Sequence, residues 1–177
     1  QNLSVMNNVL SGMLDKCHPF ASLLYLFDKV QKIRALDCLD QVGLLSKAYV
    51  RADHLSGGQQ QRVGIARAIA RSPLMILADE PVASLDPMIA FQVLSLLKEI
   101  SAAQGITVVC NLHQVDLALR FADRVVGLTD GNIVLNAPTN TLDPKYIHDI
   151  YGSHNQGIFF GSHQEAKVAQ TNVPLVS

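Results

Sequence analysis

Two continuous apolar runs, "LMILA" (Leu74 to Ala78) and "ITVVC" (Ile106 to Cys110), constrain the fold of this chain more than anything else in it. Runs without polar alternation suit strands covered on both faces, as in a parallel sheet. Between them Ile89, Val93, Leu96, Leu97 and Ile100 recur at helical spacing. Asp86-Pro87 opens that stretch with a capping acid and a proline suited to a first helical position. Strand, crossover helix and strand predict a right-handed βαβ unit in an α/β fold. Ligands of such open sheets bind at the carboxyl ends of the strands.

The first fifty residues differ in character. Val5, Met6, Val9, Leu10, Met13 and Leu14 predict a helix within residues 4–15. Ile33, Leu36, Leu39, Val42 and Leu45 predict the apolar side of a second, from about Asp28 to Leu45. "FASLLYLF" (Phe20 to Phe27) reads as a core or partner-facing segment, too short for the ~20 residues of a membrane helix. After the βαβ unit come a short helix at Val115 to Phe121 and a hairpin in "RVVGLTDGNIVLNA" turning at Asp130-Gly131. A last short helix is expected from Pro144 to Tyr151, then a flexible tail over 152–177.

Charge narrows the function classes. With 14 basic against 15 acidic residues in 177, the chain has no electrostatic footprint for nucleic acid. Cys17, Cys38 and Cys110 form no CxxC pair and read as reduced thiols. His18, His54, His148, His154 and His163 lack a ligand pattern and read as surface or packing residues.

Two motifs carry chemistry. In "HLSGGQQQR" (His54 to Arg62), Ser56 can cap a helix beginning at Gly57, with Gln59 as the capping-box partner. Two glycines in a first helical turn cost on the order of 1 kcal/mol each against alanine. They suggest that something approaches the backbone closely, and bare amides at a helix start favour a phosphate. In "LMILADEP", Asp79 and Glu80 end an apolar strand. An acid there can hold Mg2+ through water, and its neighbour can orient or deprotonate an attacking water. His113 ends the second strand and falls on the same sheet edge.

Together these features resemble the ATP-binding-cassette (ABC) family. "LSGGQQQR" resembles its signature, "LMILADE" its Walker B strand, "SLD" (Ser84 to Asp86) its D-loop, and His113 its switch histidine. The contexts "RADHLSGGQQQR" and "LHQVD" resemble more narrowly the ATPase subunits of bacterial phosphonate importers; importers of phosphite, phosphate esters or amino acids stay open. The resemblance implies a truncated P-loop NTPase-like cassette. A helical subdomain (1–50) would continue into a signature helix (55–72), followed by an α/β core portion (73–151) with a mainly parallel sheet and a hairpin.

It also implies ATP and Mg2+ as ligands, a head-to-tail dimer of two cassettes, transmembrane permease subunits and, indirectly, a periplasmic binding protein. The site would lie on the cytoplasmic face of the bacterial inner membrane. Ser56, Gly57, Gly58 and Gln59 would meet the γ-phosphate held by a partner's P-loop, and Asp86 would cross the interface. Asp79 would serve Mg2+, Glu80 the attacking water and His113 the γ-phosphate of the subunit's own nucleotide. No G-x-x-x-x-G-K-[ST] occurs in the 177 residues, and "GSHNQG" (Gly152 to Gly157) lacks the following Lys-Ser/Thr. The chain, which starts at Gln1, therefore reads as the carboxyl-terminal part of a cassette, expected neither to hydrolyse ATP well nor to fold stably alone. A non-catalytic half-site partner or a gene remnant is the alternative.

Overall fold

The computed structural model describes residues 3–14 and 27–143. The chain divides into two compact units, 1–141 and 142–177, and the helices and strands among the described residues all belong to the first. The expected helix at Pro144–Tyr151, the tail and most of "FASLLYLF" lie outside the described residues.

Helix α1 (Val5–Ser11) starts at Ser4, whose hydroxyl accepts from Asn7 N at 3.2 Å. The Val5 and Met6 amides, orphaned at the helix start, donate to Val50 O at 2.9 Å and Ala48 O at 2.7 Å. The segment leading to the signature is thereby pinned to the start of α1. Helix α2 (Lys29–Gln41) has a full capping box between Asp28 and Gln31. Helix α3 (Gly57–Ile69) has the one expected between Ser56 and Gln59. The three helices pack through Val5, Val9, Leu10, Ala35, Cys38, Leu39, Ala66 and Ile69, all buried.

One helix face is not the expected one. Leu39 and Val42 are buried and Leu36 is partly so, but Ile33 is 49% exposed and Leu45 44%. Ala35 and Cys38 take the inner side of α2. Short side chains let α2 come close to its neighbours, and a pattern weighted by large residues misses them. Burial also pushes the Cys38 thiol pKa up, so this cysteine packs as an unreactive small hydrophobe.

Strand β1 (Met75–Asp79), helix α4 (Pro87–Gln104) and strand β2 (Thr107–Asn111) form the predicted βαβ unit. The strands pair in parallel, Met75 opposite Thr107 through Asp79 opposite Asn111. Asp86 caps α4, accepting from Ile89 N at 3.0 Å, and Gly105 ends it at φ +65°. Helix α5 (Val115–Phe121) follows, then the hairpin of β3 (Arg124–Thr129) and β4 (Asn132–Pro138). Its turn residues Asp130 and Gly131 both have positive φ, as the tightest hairpin loop requires.

Burial on both faces of the strands is not observed. Ile76 is buried, whereas Met75, Leu77 and Val109 are 52%, 76% and 51% exposed. Among the described residues the sheet has two strands, and only its Ile76 face is covered. An open groove of about 630 Å³ beside it is lined by residues including Gln61, Gly64, Ala68, Leu77 and Asp79.

Candidate functional site: two strand ends and a capped helix start

The parallel register brings Asp79, Glu80 and His113 to one sheet edge. His113 Nε2 lies 2.7 Å from Glu80 Oε1, with both side chains open to solvent. Glu80 has φ +46° although it is not glycine, a strained conformation that clusters at functional sites. Its amide donates to Asn111 O at 3.2 Å, which holds the bend to β2. Asn111 also donates its side-chain amide to Asp79 Oδ1 at 3.0 Å. Sequence reading misses this residue, because nothing local links positions 32 apart in the chain.

Among the described residues no group of three or more His, Cys, Asp or Glu side chains could hold a metal ion. Asp79 offers one carboxylate, with one oxygen engaged by Asn111. That set fits Mg2+, which keeps most of its waters and takes one or two carboxylates plus substrate phosphates.

The second part is the start of α3. Ser56 Oγ accepts from Gln59 N at 3.4 Å, and Gln59 Oε1 accepts from Ser56 N at 3.2 Å. The amides of Gly57 and Gly58 have no partner among the described residues, which suits a phosphate. The close approach expected from the glycines is found, and helix packing supplies it. A Cβ on Gly58 would collide with Ile89 Cγ2, and one on Gly57 would lie 3.1 Å from Leu85 Cδ2. What approaches this backbone closely is the start of α4 and the turn before it. The glycine pair therefore reports helix packing and by itself says nothing of a ligand. In Gly58→Ala the collision costs roughly 1–3 kcal/mol and better helix propensity offsets about 1. The denaturation midpoint should fall, and Ile89→Ala added to it should recover part of the loss.

The remaining expected residue, Asp86, is the α4 cap and is exposed. The sheet edge and the α3 start are thus two separate constellations on one chain, joined by the turn between β1 and α4.

Comparisons with known proteins bear on the fold as a whole. The profile of the ABC transporter family matches residues 1–83. The solved ATP-binding cassette MJ1267, in its ADP conformation, superposes with TM-score 0.71 at 27% identity, over 85% of this chain and 59% of that one. The cassette MJ0796, solved as a post-hydrolysis dimer bound to ADP and Pi, superposes with TM-score 0.59 at 34% identity, over 77% of this chain and 57% of that one. The chain is thus similar, over most of its length, to the ATPase domains of ABC transporters.

Within that class it is similar to phosphonates import ATP-binding proteins. It is 52% identical over 151 residues to that of Thiobacillus denitrificans and 49% identical over 149 to that of Staphylococcus saprophyticus. These alignments cover 85% and 84% of this chain but 58% of each relative, so the chain spans well under two thirds of their length.

Proposed function

We propose that this chain is the signature and Walker B part of an ATP-hydrolysing importer subunit whose cargo is a phosphonate. The Glu80–His113 pair beside Asp79, at the carboxyl ends of parallel strands, carries the reading. Phosphoryl transfer demands positioning and electrostatic stabilisation more than covalent chemistry. Glu80, with Oε1 held by His113, presents its second oxygen to orient the attacking water and accept its proton. His113 also reaches the γ-phosphate. Mg2+, when bound, neutralises phosphate charge, and Asp79 would hold it through water.

Ser56, Gly57, Gly58 and Gln59 serve a nucleotide on the P-loop of a second copy packed head to tail, with Asp86 at that interface. By itself the 177-residue chain, which contains no such loop, is expected to turn over no ATP. Transmembrane permease subunits would receive the helical part at the cytoplasmic face of the inner membrane, and a periplasmic binding protein would act indirectly. Among the described residues no helix is long and apolar enough to cross a membrane.

Identities of about half to relatives named for phosphonate import support the cargo. Deleting the gene should abolish growth on methylphosphonate as sole phosphorus source and spare growth on inorganic phosphate. The intact gene should restore it and a His113→Ala allele should not. Undiminished growth of the deletion strain on methylphosphonate would overturn the cargo assignment.

A further inference from the structure

Lys47 sits in the short 3-10 turn Leu45–Lys47, outside every motif singled out in the sequence. Its Nζ donates to Gln59 Oε1 at 3.1 Å, the oxygen that already accepts from Ser56 N at 3.2 Å. Both acceptor sites of that oxygen are filled, so the Gln59 carboxamide is locked in one orientation. Its Nε2 has no partner among the described residues and is the only part of the side chain left to donate.

The charge matters as much as the orientation. A helix start carries roughly half a positive charge and is stabilised by anions. An ammonium beside the first turn of α3 works against helix stability. It strengthens the field an incoming anion meets, alongside the unpartnered Gly57 and Gly58 amides.

We propose that Lys47 is a positioning residue of the signature site. It fixes the Gln59 amide with its donor edge toward a nucleotide phosphate presented by another subunit, and it supplies a cation to that phosphate's surroundings. This rests on the proposed role of the α3 start.

The test is nucleotide-driven dimerisation of the protein from the intact gene, in a Glu80→Gln background that removes the base. Dissociation constants with Mg-ATP are measured by sedimentation, together with the melting temperature without nucleotide. Lys47→Met should weaken the ATP-dependent dimer about tenfold, the size of a lost charge-assisted hydrogen bond. Its melting temperature should stay level or rise, because an unfavourable charge leaves the helix start. Lys47→Arg should restore most of the affinity, and the deficit of Lys47→Met should shrink as salt is raised.

A merely structural tie between the turn and α3 would give the opposite pattern, a lowered melting temperature with unchanged dimer affinity. That result overturns the proposal. Gly57→Asp, which puts a carboxylate at the helix start, separates the two levels of inference. If it leaves the ATP-driven dimer intact, the phosphate role of the α3 start itself fails. If it abolishes the dimer while Lys47→Met does not weaken it, only the role of Lys47 fails.

Discussion

Replacing Glu80 by glutamine should lower ATP turnover by the intact protein on the order of a thousandfold, within the range that a positioned general base contributes. Glutamine matches glutamate in size and keeps an oxygen able to accept from His113 Nε2, now 2.7 Å from Glu80 Oε1. It loses the ability to take a proton. Nucleotide binding, which does not use the base, should survive, so the variant should collect in the ATP-bound dimer. Steady-state phosphate release and the fraction of dimer at saturating Mg-ATP are the two measurements. A variant keeping more than about a tenth of the parent turnover would remove Glu80 from the chemistry, because general-base contributions run from about a hundredfold upward.

The second large effect concerns stability. Leu39 is completely buried in α2, and truncating it to alanine should cost about 2–5 kcal/mol through lost transfer energy and an unfilled cavity. Ile33, on the same helix but 49% exposed, should cost no more than about 0.5 kcal/mol as Ile33→Ala. Denaturant midpoints of the two variants, compared under one condition, decide between the observed face of α2 and the one inferred from periodicity. Equal losses would mean that Ile33 is covered in solution.

That contrast within α2 also marks where the sequence was readable. Elements fixed by neighbours in the chain were legible: the Ser56–Gln59 capping box, the Asp86-Pro87 start of α4, the Asp130-Gly131 turn and the two apolar strands. Strand ends follow from strand positions, so Asp79, Glu80 and His113 could be placed on one edge in advance. What periodicity could not supply was the inner side of α2, where Ala35 and Cys38 carry little hydrophobic weight but permit close approach. Nor could it supply contacts made only by folding, such as Asn111 to Asp79 and Lys47 to Gln59. The Gly57-Gly58 pair was legible as a place of close approach to the backbone, but what makes that approach was not. Its crowding comes from Leu85 and Ile89, whose nearness no local pattern records.

Arg34 donates to Ile69 O at 3.0 Å and to Ser72 Oγ at 3.2 Å, closing the far end of α3 onto α2. Midway, Arg62 reaches Val42 O at 3.4 Å and Gln92 Oε1 at 3.3 Å, tying α3 at once to the α2 exit and to α4. With Gly58 seated against Ile89, the helix is gripped at three points along its length. A rod held this way transmits displacement instead of absorbing it. A pull at Ser56 would meet these ties along the whole helix. It would arrive at α2 and at the Asp86 turn together, so the helix would act as a mechanical linkage between them.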